Sequence, residues 1–365
     1  MKNEISIILP SLNPTTKLLE VVSGIRALCK NRIVVVDDGS KAECQSIFKK
    51  AAEFENVSIL RHAVNQGKGR ALKTAFNYCL TTDGDNIIGV VTADADGQHL
   101  PADIVHCLSQ FQLHPDFLLL GCRCFNGRDI PWKSRLGNKL TIFAVSILGG
   151  GKLSDTQTGL RGIPASLMRA LMIKATGERF EFETVMLLEY RKLFPQRGYL
   201  EIPIETVYVN DNRESHFNPV VDSIKIYREL LRYFISSFLG FIISALFSSV
   251  LDQGVFALLY YWILMDLPKY LQPLLISVVM ARIISLIFNY SVNKKWVFSK
   301  KGSLFEAKSF FSYLVLCVFV LATSYSLLCL ALYIWPEANV LFLKILIDTI
   351  LFLCNYFIQK HWCFS

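Results

Sequence analysis

The sequence is short of several features that would announce a familiar chemistry. Its ten cysteines show no paired metal-ligand spacing, which argues against a zinc or iron–sulfur centre. Cys122 and Cys124 lie one residue apart on a strand-like stretch, too close for a relaxed bridge. All ten read as thiols in a reducing compartment. Asn65-Gln66-Gly67-Lys68-Gly69 lacks the full G-x-x-x-x-G-K-[ST] spacing, so an ATPase is not expected. No histidine pairs convincingly with an acid as a general-base dyad. Met1-Lys2-Asn3-Glu4 leads into a short strand pattern rather than a long apolar region, so no secretory signal is expected. The excess charge is modest, +8, and sits largely beside apolar segments; it points to a membrane surface and not to nucleic acid. The sharpest shortage is local: residues 234–365 carry few charges, whereas residues 1–230 resemble an ordinary soluble domain.

What is present is organised around Ile87-Ile88-Gly89-Val90-Val91-Thr92-Ala93-Asp94-Ala95-Asp96-Gly97-Gln98-His99. An uncharged β-branched run predicts a strand buried on both faces. Side chains at i and i+2 of an extended segment point the same way, so Asp94 and Asp96 converge where the strand ends. Two carboxylates and the Gln98 amide oxygen suit a hard divalent cation with positions left open for phosphate oxygens. Strand runs at Ile5–Leu9, Ile33–Val36 and Val57–Leu60 alternate with helical spacing over residues 15–30, 41–53 and from Gly67 to about Leu80. This alternation predicts a mainly parallel sheet, with polar loops at successive strand ends. Asp37-Asp38-Gly39-Ser40 serves either as a site loop or as a cap of the following helix.

Pro10-Ser11-Leu12-Asn13, Val36-Asp37-Asp38-Gly39-Ser40, Asn65-Gln66-Gly67-Lys68-Gly69 and Asp94-Ala95-Asp96-Gly97-Gln98-His99 occur in the order and spacing of inverting glycosyltransferases of family 2, which have the GT-A fold. The resemblance is to the polyprenyl-phosphate, dolichyl-phosphate mannose synthase-like branch and covers about residues 4–230. It implies sugar transfer from a nucleotide-sugar, a UDP- or GDP-hexose, to a lipid phosphate. By this resemblance Pro10 and Asp38 contact the base and ribose, and Leu12 stands in the same nucleotide loop. Asp94 and Ala95 lie against the nucleotide and its diphosphate; Lys68, from the reading of its own loop, either faces the diphosphate or is a surface lysine. Asp96 and Gln98, with Asp94 beside them, hold Mg²⁺ or Mn²⁺. The family usually has an aromatic residue and an acid in the first loop; here Leu12 and Pro14 stand there, and the base is left undefined.

The likeness continues downstream. A strand over Phe117–Gly121 leads to Arg123, which would face phosphate. Trp132-Lys133-Ser134-Arg135-Leu136-Gly137-Asn138-Lys139 starts a helix whose N-terminus favours anions. Arg123 and Arg135, then Asn138 and Lys139, are the candidates for the lipid phosphate. Asp155-Thr156-Gln157-Thr158-Gly159-Leu160-Arg161-Gly162 matches the family's D-x-x-[ST]-G-x-R block; Asp155 would orient the acceptor, or pair with Arg161. Arg179-Phe180-Glu181-Phe182-Glu183 resembles the segment shaping the acceptor side, and Ile202–Thr206 is a last strand. Arg213 and Ser215, in the polar loop Asn210–Pro219, are candidates for the diphosphate.

Residues 220–233 read as an amphipathic helix suited to the membrane interface, with Val221, Ile224, Tyr227 and Leu231 apolar and Asp222, Lys225, Glu229 and Arg232 opposite. Apolar segments near 235–263, 271–293, 308–334 and 339–359 each supply the ~20 residues a membrane span needs. Lys294, Lys295, Lys300, Lys301 and Lys360 place the connecting loop, both termini and the catalytic domain on the cytoplasmic side. Asn289-Tyr290 followed by Trp296-Val297-Phe298 recurs as Asn355-Tyr356 followed by Trp362-Cys363-Phe364. This repeat predicts two helical hairpins related by duplication and resembles the GtrA-like four-span family. Among the ionisable residues in or near spans (Asp252, Arg282, Lys344 and Asp348), Arg282 is expected to pair with Asp252 or Asp348.

The expected architecture is therefore an α/β GT-A domain (1–219), an interfacial helix (220–233) and an all-α four-helix transmembrane domain (234–365). The expected partners are a nucleotide-sugar, a polyprenyl phosphate and the bilayer, with self-association left open. Three rival readings stand beside transfer: a processive polysaccharide synthase, whose usual Q-x-x-R-W block is missing; a lipid-linked sugar carrier that the soluble half loads; and a membrane-anchored nucleotide-sugar sensor.

Overall fold

The computed structural model describes residues 4–123, 132–146, 148, 153–205, 221–264, 273–298 and 306–364; the side chains of 132–137, 140, 221, 273–275, 340, 341, 344 and 345 fall outside that description. The chain divides into two compact units, Met1–Leu231 and Arg232–Ser365.

The first unit holds strands β1 (Glu4–Ser11), β2 (Ile33–Asp37), β3 (Val57–Arg61), β4 (Ile87–Thr92), β5 (Leu119–Arg123), β6 (Arg161–Pro164) and β7 (Leu200–Ile204) in one seven-stranded sheet, ordered β3-β2-β1-β4-β6-β5-β7. Neighbours pair parallel except at β6, which runs antiparallel to both β4 and β5. Helices α1 (Lys17–Leu28), α2 (Gln45–Ala52), α3 (Lys68–Asp83), α4 (Pro101–Leu113), α5 (Trp132–Val145), α6 (Ala165–Lys174) and α7 (Glu181–Leu193) are interleaved with these strands. The result is a mainly parallel α/β sheet domain, as the alternating pattern predicts, of the GT-A type that the family resemblance implies.

The core explains why the uncharged runs became central strands. Ile7, Leu9, Val35 and Val91 are fully buried, packed with Leu18, Val22 and Ile25 of α1 and with Ile104 and Phe111 of α4. Each such side chain stabilises the fold by about 1.5–3 kcal/mol through burial. The four residues of β6 (Arg-Gly-Ile-Pro) give no strand signal; they form a strand because they fill the gap between β4 and β5.

One sheet edge gathers the loops that matter. Ser11 pairs with Asp37 and Ile8 with Thr92, so β1, β2 and β4 end side by side. Thr92 and Leu120 both pair with Arg161, which brings the loop before β6 to that edge. Strand β5 is shifted two residues from its expected place, and Arg123 becomes its last residue.

The helices of the C-terminal region are α8 (Val221–Leu258), which begins in the first unit, α9 (Pro273–Val292), α10 (Ala307–Ile334) and α11 (Val340–Ile358). Three helical stretches, Asp222–Ile263, Ile276–Val297 and Ala307–Ile334, are long and apolar enough to cross a membrane among the described residues. Helices α8, α9 and α11 each pass into a π-helical turn, at Leu259–Ile263, Asn293–Val297 and Gln359–Cys363. Two of these turns coincide with the repeated Asn-Tyr…Trp-x-Phe sequence. Tyr290 and Tyr356 are fully buried, with Lys294 Nζ 5.8 Å and Lys360 Nζ 5.7 Å from the respective ring centroids. Asn293 Nδ2 donates to Gln359 Oε1 at 2.9 Å, linking the two turns. Of its two expected partners, Arg282 takes Asp252, at 3.4 Å, while Asp348 accepts a bond from Ser324 Oγ at 2.7 Å.

The expected interfacial helix and first span form one continuous helix, α8. In its first turns Asp222, Ile226 and Leu230 are buried, Glu229 accepts from Thr176 Oγ1 at 2.9 Å, and Ile224, Tyr227 and Leu231 are exposed. The 222-226-230 stripe packs inward because residues four apart share a helix face, which leaves the apolar stripe outside.

Candidate active site

The edge at which β1, β2 and β4 end is ordered from below by Asp38. This buried carboxylate accepts the backbone N–H groups of Gln66 (2.9 Å) and Gly67 (2.7 Å), and His62 Nδ1 lies 2.7 Å from it. It therefore holds the loop that presents Lys68. Its neighbour Asp37 accepts from Ser40 N and Gln45 Nε2, stabilising the turn after β2. Asn13 N donates to Ser40 Oγ, which ties the first loop to the second. Pro10, Leu12 and Ala95 are half-buried along this rim.

Lys68 opens α3 directly after Gly67. Gly67 has φ +102°, and an added Cβ would lie 2.4 Å from the carbonyl oxygen of Glu178, so only glycine fits. The Lys68 ammonium lies 2.6 Å from Asp94 Oδ1 and 3.1 Å from Glu183 Oε1. Asp94 is further fixed by His99 Nε2, 3.4 Å away, and by Gly159, whose position leaves no room for a side chain beside Oδ2. Burial opposes charge on both Lys68 and Asp94, but their mutual attraction outweighs it. The lysine is held above its ordinary value with Glu183 contributing, and the aspartate below its ordinary value with His99 contributing. Asp96 moves the other way: burial and the nearby Asp94 charge raise it. The two acids of the motif thus differ: Asp94 is committed to the Lys68 ammonium, and Asp96, in the same cluster, makes no such ion pair among the described residues.

Asp96 Oδ1 accepts the backbone N–H of Gln98 at 3.0 Å. No group of three His, Cys, Asp or Glu side chains that would hold a metal ion is gathered among the described residues. The donors at the motif are hard oxygens, the Asp96 carboxylate and the half-buried Gln98 amide. That set fits Mg²⁺ or Mn²⁺, which take one or two protein oxygens and complete their shell with phosphate and water.

Across the rim, Arg123 makes a two-pronged bond to buried Asp155: Nε to Oδ2 at 2.6 Å and Nη2 to Oδ1 at 3.1 Å. Arg161, the partner expected for Asp155 if it paired, is instead fully buried and donates to the carbonyls of Thr156, Thr158 and Glu183. Asn138 is buried; its Oδ1 accepts Thr156 N and Oγ1, and its Nδ2 donates to Ser154 O. It secures the Asp155 loop from α5. Lys139 is exposed. The Arg135 side chain, Arg213 and Ser215 lie outside the described residues. Glu183 joins the site from the segment expected to shape the acceptor side, and His99 from the end of the Asp94 motif; neither was expected to hold Lys68 or Asp94. The acid at the start of α7 and the histidine ending the Asp94 motif were the available signals.

Residues 6–171 match the sequence model of Glycosyl transferase family 2, and residues 241–364 match that of the GtrA/DPMS transmembrane domain. The UDP-N-acetylglucosamine–dolichyl-phosphate N-acetylglucosaminyltransferase of Methanococcus voltae is 28% identical over 243 residues, covering 62% of this chain and 94% of that one. An undecaprenyl-phosphate 4-deoxy-4-formamido-L-arabinose transferase of Pseudomonas fluorescens is 30% identical over 189 residues, 50% of this chain and about half, 52%, of its own length. Among solved structures, glucosyl-3-phosphoglycerate synthase from Mycobacterium tuberculosis, in complex with Mn²⁺, UDP and phosphoglyceric acid, aligns with TM-score 0.47 and 18% identity over 64% of this chain and 78% of that one.

Proposed function

We propose that this glycosyltransferase, with a family 2 domain at residues 6–171 and a GtrA/DPMS transmembrane domain at 241–364, moves a hexose from a nucleotide-sugar to a polyprenyl phosphate. The observation that carries the reading is the meeting of Lys68, Asp94 and Asp96 at the carboxyl end of β4, where open α/β sheets take nucleotides. The two relatives named for dolichyl- and undecaprenyl-phosphate transfer support the choice of acceptor.

In this mechanism Pro10, Leu12, Asp38 and Ala95 border the nucleoside. Lys68 and Arg213 donate hydrogen bonds to the diphosphate. Asp96 and Gln98, next to Asp94, would hold the divalent cation, which when bound supplies positive charge against the leaving phosphate. Arg123 and Arg135 receive the lipid phosphate, with Lys139 nearby. Asp155 keeps the Arg123 guanidinium in one plane, and Asn138 keeps the Asp155 loop in place. A phosphate oxygen of the acceptor attacks the anomeric carbon opposite the diphosphate, the old glycosidic C–O bond breaks, and configuration inverts. The acceptor is already anionic near neutral pH, so no strong general base is required.

The membrane region is read as four spans. The 19-residue α11 is added to the three long apolar stretches, and the lysine-bearing loop, both termini and the catalytic domain are cytoplasmic.

The test uses the purified full chain in detergent, a panel of labelled UDP- and GDP-sugars, a polyprenyl phosphate and Mn²⁺ or Mg²⁺. Label should pass into the organic phase with one donor, and Asp96→Asn should lower the transfer by about 10²-fold or more. Label reaching only water-soluble acceptors would overturn the reading.

A further inference from the structure

The Lys68 ammonium has a second anionic partner outside the Asp94 motif. Glu183 stands in the first turn of α7, only 6% exposed, with Oε1 3.1 Å from Lys68 Nζ. Its backbone carbonyl accepts from Arg161 Nη1 at 2.6 Å, and the same guanidinium donates to Thr156 and Thr158. The start of α7 is therefore tied to the loop that backs Asp94. On the other side, Arg70 N donates to Glu178 O at 2.9 Å, and Gly67 packs against the same carbonyl. Lys68 and Glu183 thus ride on segments fixed to each other. The Phe180 ring, 5.9 Å from Nζ, closes one side of the ammonium.

We infer that Glu183 is a positioning residue, the fixed counter-ion on which the Lys68 ammonium turns from Asp94 to the diphosphate of the bound donor. The inference rests on the donor site proposed above. A lysine ammonium has three N–H donors and no preferred plane, so it can exchange one acceptor while keeping another. A diphosphate entering beside Asp94 competes for the bond now made at 2.6 Å. Glu183 keeps the ammonium charged and in reach during that exchange, because a half-buried cation with no remaining anion would be penalised by desolvation. Glu183 is consequently not poised as a base: its carboxylate is spent on an ammonium, and a phosphate nucleophile needs no proton removed.

The sign of a single measurement separates this role from mere proximity. A carboxylate that only neighboured the site would repel a diphosphate, and its neutralisation would tighten nucleotide binding. A positioning carboxylate does the opposite. UDP and GDP are titrated with Mn²⁺ into the full chain in detergent by calorimetry. Glu183→Gln should weaken the nucleotide that binds by about tenfold, a loss of about 1.4 kcal/mol. Glu183→Asp should recover most of that loss, and in a Lys68→Met background Glu183→Gln should have no further effect. Binding as tight as or tighter than in the unaltered chain, or an equal loss with and without Lys68, overturns the inference. Should Glu183→Gln not yield folded protein, Glu183→Asp carries the same cycle: a loss of about threefold that vanishes in Lys68→Met supports the role, and a loss that persists overturns it. If the unaltered chain binds neither nucleotide, the donor-site reading itself falls, a result distinct from any of these.

Discussion

Gly159 shows how closely the acid at position 94 is fitted. A Cβ there would stand 2.3 Å from Asp94 Oδ2, so Gly159→Ala must push the carboxylate aside. A misplacement of this size at a reacting centre costs about 10²-fold in kcat/KM, measured as label transfer to lipid phosphate, with the melting curve showing that the domain is still folded. Asp96→Asn acts on a different quantity. It should remove Mn²⁺-dependent nucleotide binding and lower transfer by about 10²-fold or more, read by calorimetry with and without Mn²⁺. The Lys68 pairing also has a pH window. Lys68 is raised from 10.5 and Asp94 lowered from 3.8. The lysine's contribution is therefore whole below 10.5 and lost as pH rises through the raised value. The aspartate's is whole above 3.8 and lost as pH falls through the lowered one. Lys68→Met should accordingly lower the melting temperature by a similar amount at about pH 5 and about pH 9. The gap should narrow only outside that interval. Much of this was legible in the sequence, because a strand that ends in two acids one residue apart has to present them together. What was not legible was the division of labour: nothing in Asp94-Ala95-Asp96 says which acid an ammonium will claim. That is decided by Lys68 and Glu183, far apart in sequence and joined by packing at Gly67.

Elements that carry their own pattern were readable, and elements defined by their neighbours were not. The buried runs of β1, β2 and β4 are apolar enough to be recognised alone. Strand β6, with an arginine, a glycine and a proline in four residues, is a strand only because β4 and β5 present it with carbonyls and N–H groups to pair. The start of α8 is a subtler case. Its amphipathic spacing was visible, but not that Asp222, Ile226 and Leu230 would turn inward or that Glu229 would accept from the Thr176 hydroxyl. The exposed stripe of Ile224, Tyr227 and Leu231 lies among Lys225, Arg228 and Arg232, the composition of a surface that meets anionic headgroups. Ile224→Glu with Leu231→Glu should leave Mn²⁺–nucleotide binding unchanged and reduce transfer to long-chain polyprenyl phosphate by about tenfold, with a smaller effect on a short-chain acceptor. Equal loss with both acceptors would assign the stripe to the fold of the domain instead.

At the scale of the whole molecule, the second unit reads as a duplicated hairpin whose two copies meet through carboxamides. Asn289 and Asn293 at the end of α9 correspond to Asn355 and Gln359 at the end of α11. In the bundle Asn293 Nδ2 donates both to Asn289 Oδ1 and across to Gln359 Oε1, while Gln359 Nε2 donates to Asn355 Oδ1. Tyr313 of α10 adds a bond to Asn289 Oδ1 at 2.8 Å. The repeat itself was visible in the sequence, but the π-helical turns that bring residues 293 and 359 face to face were not, since an extra residue in a helical turn leaves no compositional mark. In hydrocarbon a stranded amide is expensive, whereas two matched apolar replacements leave neither partner of the 293–359 bond stranded. Asn293→Leu or Gln359→Leu alone should therefore destabilise the bundle by about 1 kcal/mol, and the double variant should cost clearly less than the sum. Unfolding in mixed detergent micelles measures all three. A simple additive result would mean that the two π turns are stabilised separately, each within its own hairpin, and that the pairing at 2.9 Å between residues 293 and 359 contributes nothing to joining the repeats.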